Sequence, residues 1–124
     1  MHEYDKYSID LEVKFKPLEL INIPQIIATS DKKWQNLSLC TVNDSIVRLA
    51  VIEGEFHWHK HEKEDEFFFV IEGTLLIDLE ERTVELKQHQ GFTVPKGEMH
   101  RTRALTRTSL LVFEQSATQP IGDK

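Results

Sequence analysis

From Asn36 onward the chain is divided into short runs rich in β-branched and aromatic residues, and no apolar pattern of helical period occurs after Trp34. The runs are Leu37–Val42, Ile46–Glu53, Phe56–His61, Glu66–Glu72, Thr74–Leu79, Thr83–Leu86, Phe92–Val94, His100–Ala104 and Ser109–Phe113. Asn43-Asp44, Glu53-Gly54, Glu72-Gly73, Glu80-Glu81 and Lys96-Gly97 supply turns between several of them. Many short strands at close spacing, with no helices between them, predict an antiparallel sandwich or barrel. Closure of the sheet would also hide strand edges that otherwise pair with other chains.

Ahead of those runs, residues 1–35 read as an arm that packs on the barrel or on a partner subunit, with residues 36–124 forming the barrel itself. Leu11–Phe15 alternates like a strand, Pro17 and Pro24 interrupt the stretch after it, and Ser30–Trp34 reads as a short helical turn capped by Ser30. At 124 residues there is room for one domain with a proper core and little for a second. Phe67, Phe69 and Ile71 alternate with Glu66, Phe68 and Val70, so both faces of that strand are apolar. One face is expected to line the barrel, and the other to be covered by the arm, a second sheet or another subunit. A homodimer is the resulting expectation.

Charge and hydropathy exclude several classes of function. Fifteen Lys and Arg against 21 Asp and Glu leave a net charge of −6, which argues against a broad basic surface for nucleic acid. The longest unbroken apolar run, Phe67 to Ile71, is far short of the ~20 residues of a spanning helix, and the charged start Met1–Lys6 does not read as a signal peptide. Cys40 is the only cysteine, so no intrachain disulfide forms, and it reads as a buried small hydrophobe. A cytoplasmic location is the simplest expectation.

Histidines carry the chemistry. Three are crowded into Phe56-His57-Trp58-His59-Lys60-His61, and on a strand all three share one face while Trp58 and Lys60 point away. Neighbours on that face stand ~7 Å apart along the backbone, close enough for two imidazoles to converge on one ion. This spacing permits either His57 with His59 or His59 with His61. Glu66 opens an apolar strand, where a carboxylate is costly to bury unless paired or metal-bound. His100 comes just after the Pro95-Lys96-Gly97 turn. Imidazoles and a carboxylate together suit a divalent transition metal better than calcium or magnesium.

These residues resemble the two motifs of the cupin superfamily. The first reads Gly54, then His59-Lys60-His61, four residues to Glu66, and six more to Gly73. The alternative register through His57, His59 and Glu64 would need a glycine at Ile71. The second motif reads Gly91, Pro95-Lys96-Gly97 and His100, with Ala104 where the family usually has Asn. Val47–Ala50 and the tail from Thr118 to Asp123 look like a group of small bacterial single-domain cupins, loosely similar to the cupin part of mannose-6-phosphate isomerase.

The resemblance implies an all-β jelly-roll barrel, the double-stranded β-helix, preceded here by the short arm. It also implies one divalent transition metal (Fe, Mn, Ni or Zn) held by His59, His61, Glu66 and His100. Metal-dependent chemistry of oxygenase or isomerase/lyase type on a small oxygen-bearing metabolite is the leading expectation, with no catalytic residue assigned. The alternatives are a non-catalytic binding module and a cupin whose metal only stabilises the barrel. His57 and His89 are given no catalytic role, although His57 lies on the ligand face. Arg48 reads as an exposed or salt-bridged strand residue, and as a carboxylate partner for a ligand only if it points inward.

Overall fold

The structure, a computed structural model, describes residues 6–123; residues 1–5 of the expected arm and Lys124 lie outside the described residues. Eight strands and one short helix run in the order β1 (Ser8–Asp10), α1 (Ile23–Thr29), β2 (Trp34–Val42), β3 (Ser45–Glu55), β4 (Glu66–Glu72), β5 (Leu75–Leu79), β6 (Thr83–Leu86), β7 (Gly91–Val94) and β8 (His100–Gln115). The chain is all-β apart from α1, with the order β1-β2-β3-β8-β4-β7 along the sheet and β5 joined to both β6 and β8. Every pairing is antiparallel except β1 with β2.

The long strand β8 organises this jelly roll. Its first part pairs with β5 from Leu79↔His100 to Leu76↔Arg103, and its last part pairs with β4 from Glu72↔Ser109 to Phe67↔Phe113. Against β3 it pairs over most of its length, from Glu55↔Arg103 to Ser45↔Gln115. The runs His100–Ala104 and Ser109–Phe113 are therefore one strand. Pairing with β3 across a bulge at Ile52/Gly54 carries the strand through the residues between them.

Alternation sends Ile46, Arg48, Ala50 and Ile52 of β3, Leu110, Val112 and Glu114 of β8, and Glu66, Phe68 and Val70 of β4 into the barrel. There Tyr7, Trp34 and Phe56 pack together, with the Trp34 and Phe56 rings stacked at 5.3 Å. Leu49 and Val51 face the other way and are buried with Leu39 beneath Phe15, Ile21, Ile23, Ile26 and Ile27. Ile71 and Leu111 pack against the same cluster, so part of the second apolar face of β4 is covered within the chain itself. Phe67 and Phe113 stay 37% exposed beside that cover.

The arm departs from two expectations. Leu11–Phe15 is not a strand; the strand is Ser8–Asp10, although Lys14 and Phe15 still donate backbone N–H bonds to Ser38 and Leu39 carbonyls. The helical turn expected at Ser30–Trp34 lies upstream instead, as α1. Pro24 sits in its first turn, where a missing N–H costs nothing, and Asn22 caps it by accepting from the Gln25 N–H at 3.2 Å. Ser30 ends the helix rather than starting one, and Trp34 is drawn into β2 by its stacking partners.

One ion-pair network closes the β5–β6–β8 side. Asp78 accepts from Arg101 Nε at 2.8 Å, from Arg103 Nε at 2.7 Å and from the Thr83 hydroxyl at 2.6 Å. Those donors, Arg103 foremost, hold its carboxyl well below the usual range against the opposing effect of burial. Asp78→Asn is expected to cost roughly 1.5–3 kcal/mol at neutral pH, because it replaces charge-assisted bonds with neutral ones. A carboxylate with a lowered folded pKa stabilises above the unfolded value of 3.8 and loses that contribution as pH falls through the folded value. Urea melts of the two proteins should therefore differ at pH 7 and converge in acid; an equal gap at both would refute the assignment.

Candidate metal centre

Turn chemistry brings the four expected ligands to one end of the barrel. After the bulge the chain leaves β3, and Phe56–His61 is not the strand its alternation predicts. Phe56 donates one backbone bond to the Thr102 carbonyl, and His59 exchanges both of its bonds with His100 at 2.9 Å. The alternation of sides survives: His59 and His61 are buried while Trp58 is exposed. Glu66 starts β4 and His100 starts β8. Gly97, at φ 81° in a region that favours glycine, donates its N–H to the His61 carbonyl at 2.7 Å and so ties the second turn to the histidine segment. One ligand atom from each of His59, His61, Glu66 and His100 falls within 4.8 Å of the others, a group that could hold a metal ion.

Hydrogen bonding orients the rings. His59 Nδ1 lies 3.0 Å from the His57 carbonyl, and His100 Nδ1 lies 2.9 Å from the Glu98 carbonyl. A carbonyl only accepts, so each Nδ1 carries the proton and each neutral ring keeps a lone pair on Nε2. His100 Nε2 stands 3.1 Å from Glu66 Oε1, and His61 Nε2 stands 3.3 Å from the same oxygen. Two acceptors at that range repel unless a proton or a metal cation lies between them. The His61 ring nitrogens are buried without a hydrogen-bond partner among the described residues. Three inward imidazoles around one carboxylate fit a divalent transition metal, with the Nδ1–carbonyl contacts holding the rings in place.

The electrostatics agree. Burial, with His100 alongside, lowers the His59 pKa to about 4, so this ring is neutral near pH 7. Burial opposes charge on His61 too, but the Glu66 carboxylate overrides it and raises that pKa. Glu66 is held low by His100 and His61 in spite of its burial.

Behind Glu66 stands a second carboxylate. Continuing the register past Phe67↔Phe113 places Glu114 of β8 across from Glu66 of β4. Burial and the Glu66 charge push Glu114 up to about 9, so the pair retains a proton. Arg48, only 2% exposed, donates from Nε to Glu114 at 2.7 Å and from Nη1 to the Ser38 hydroxyl at 2.6 Å, and Ser38 in turn donates to the Asp10 carbonyl. Arg48 is thus an inward-pointing, salt-bridged residue and not an exposed one. Sequence reasoning missed Glu114, although its parity with Leu110 and Val112 marks it as inward.

A cavity of about 40 Å³ adjoins the cluster, walled by Trp34, Phe56, Phe68, Leu110 and Pro120, with His59, Glu66 and Glu114 as polar lining. Phe68 is a wall, as expected of its strand, while Phe69 stacks on His89 at 6.2 Å. His57 reaches the Ile121 carbonyl at 2.6 Å and His89 is remote from the cluster. Glu64 falls in a separate set with His61 and Asp123, not with His57 and His59. Ala104, in place of the family's usual Asn, is buried opposite Gly54. Among the described residues no helix is long and apolar enough to cross a membrane.

Comparison with known proteins gives concordant results. The family model described as "Cupin domain" matches residues 45–114, which take in all four clustered residues. The Bacillus subtilis (strain 168) protein YdbB is 42% identical over 101 residues, covering 81% of this chain and 89% of its own. A cupin-2 domain containing protein from Shewanella frigidimarina superposes with a TM-score of 0.74 at 30% identity, covering 77% of this chain and 94% of that one. KdgF from Halomonas sp. shares the fold at a TM-score of 0.63 and 20% identity, over 69% of this chain and 82% of that one.

Proposed function

This chain belongs to the cupin domain family, and from that premise we propose a metal-dependent enzyme of oxygenase or isomerase/lyase type. Its His59, His61, Glu66 and His100 hold one divalent transition metal (iron, manganese, nickel or zinc) beside a pocket for a small oxygen-bearing metabolite. The observation that carries the reading is the convergence of His61 and His100 Nε2 on one Glu66 oxygen, at 3.3 and 3.1 Å. A metal bound there would supply Lewis acidity or redox chemistry.

The chain's own residues define the setting. His57 and Glu98 carbonyls fix the His59 and His100 rings, and the apolar walls limit water. Glu114 keeps a proton next to Glu66, with Arg48 orienting it from behind. The test is a screen of metal-reconstituted protein against catechols, keto acids, hydroxy acids and sugar phosphates, with and without oxygen. Turnover of one class is expected. The burial of all four ligands, none more than 8% exposed, favours a second reading in which the metal only braces the barrel. No turnover, no spectral response and a lower melting temperature as the sole effect of metal removal would establish it.

The same proposal includes a homodimer of this chain in the cytoplasm, where a lone thiol such as Cys40 stays reduced. A second copy is the occupant that suits the Phe67–Phe113 pair, whose rings lie 5.8 Å apart on the outer sheet face beside the arm. Phe113→Glu is expected to convert a dimer to a ~14.5 kDa particle in sedimentation, since a charge at the centre of an apolar interface opposes association. A monomeric parent at micromolar concentration would reject the dimer.

A further inference from the structure

We infer that residues 116–123 form a strap over the metal centre, and that the strap lifts to admit or release a metabolite larger than a few waters. What it gates rests on the metal-centre reading; that it moves is argued from packing alone.

The first observation is burial. His59, His61, Glu66 and His100 are all buried, and the adjoining cavity, open on one side, has about 40 Å³ of room, enough for only a few waters at roughly 10–15 Å³ each. Some wall must give way for anything larger to arrive. Most of the others are β-strands joined by continuous ladders, whose opening breaks many bonds together.

The strap is differently built. After Ser116 N–H donates to the Asp44 carbonyl, the segment runs in local turns, Thr118 N to Gln115 O and Gly122 N to Gln119 O, without ladder pairing. Its contacts across the mouth go to the histidine segment. The His57 ring donates to the Ile121 carbonyl at 2.6 Å, Asp123 N donates to the Lys60 carbonyl at 3.0 Å, and the Glu62 N–H donates to Asp123 Oδ2 at 2.6 Å. Pro120 forms part of the cavity wall. Gly122, at φ 95°, lies so close to His59 that an added Cβ would stand 2.5 Å from the His59 Cβ.

Closure also leaves a cost in place. The Thr118 hydroxyl is buried with no hydrogen-bond partner among the described residues, a state that water would relieve when the strap lifts. A few discrete bonds hold the segment shut over an unsatisfied hydroxyl, and it takes no part in the ladders. Those are the properties of a segment that opens locally and not with the whole fold.

Two variants loosen the strap in different ways. Gly122→Val drives a side chain into His59, and Asp123→Ala removes the acceptor for Glu62 N–H from an exposed position. Both are made in the full chain on a Trp58→Phe background, which leaves Trp34 in the cavity wall as the sole tryptophan. Acrylamide quenching of Trp34 in metal-free protein should rise roughly fivefold in Asp123→Ala and more than about tenfold in Gly122→Val. Transfer of bound zinc to a chelator should accelerate by similar factors. Circular dichroism verifies the fold, and if Gly122→Val does not fold, Asp123→Ala decides. Parental quenching in the folded variants overturns the strap. A parent that takes up no zinc in dialysis overturns the metal-centre reading instead, while the quenching result still decides whether the segment opens.

Discussion

His61→Ala is expected to weaken zinc binding by more than about 100-fold and to leave the barrel folded. Outer-shell substitutions around metal centres already cost roughly 10–100-fold in affinity, and in the proposed site His61 belongs to the inner set. Apart from the 3.3 Å approach of Nε2 to Glu66, its ring nitrogens have no hydrogen-bond partner among the described residues, so truncation leaves the sheet ladders intact. Elemental analysis and equilibrium dialysis would measure the loss, and full occupancy surviving the substitution would remove His61 from the site.

Proton competition gives the same prediction a pH axis. Binding requires neutral imidazoles. The His59 pKa is lowered to about 4, so this ring competes only in strong acid. The His61 pKa is raised, so its proton begins to compete above the ordinary imidazole value of 6.5. Affinity should therefore begin to fall at a higher pH than an unperturbed histidine would dictate. In His61→Ala that part of the pH dependence should vanish along with most of the affinity.

Legibility in the sequence tracks the range of the interactions. His59, His61 and Glu66 lie within one short stretch, and His100 is announced by its Pro-Gly turn, so motif spacing brings all four into one argument. Parity holds even where secondary structure does not: His59 and His61 turn inward although their segment is joined to β8 only at Phe56 and at the His59–His100 bridge, among the described residues. The Arg48–Glu114 pair is not legible, because its partners are 66 residues apart and only the β3–β8 register brings them together. The strap is hidden for the same reason, since its bonds join Ile121 and Asp123 to residues near 60. In the arm, Pro24 reads as an interruption when its position fits the first turn of a helix, and the capping residue is Asn22 rather than Ser30.

Arg48→Met should produce the largest loss of stability, about 3–5 kcal/mol, or roughly 10–20 °C in melting temperature for a domain of this size. Among the described residues Arg48 is the only buried Lys or Arg, and it faces a Glu66–Glu114 pair that shares a proton in the metal-free state. One positive charge thus faces a pair that carries one negative charge, held on Glu66, whose carboxylate His61 and His100 also stabilise. Removing it leaves that negative charge in a low-dielectric interior and strips the Ser38 hydroxyl of its donor. The remedy available to the folded chain is a second proton, so the penalty should shrink in acid, where both carboxylates are protonated, and grow toward neutral pH. Arg48→Met combined with Glu114→Leu removes both charges and should recover most of the loss, because a buried pair replaced by apolar groups is often neutral or stabilising. A single variant that melts within about 3 °C of the parent would show that Arg48 is not the counter-charge of the pair, by the same scaling of stability with temperature. A double variant no better than the single one would place the cost in lost packing around the Arg48 side chain, not in its charge.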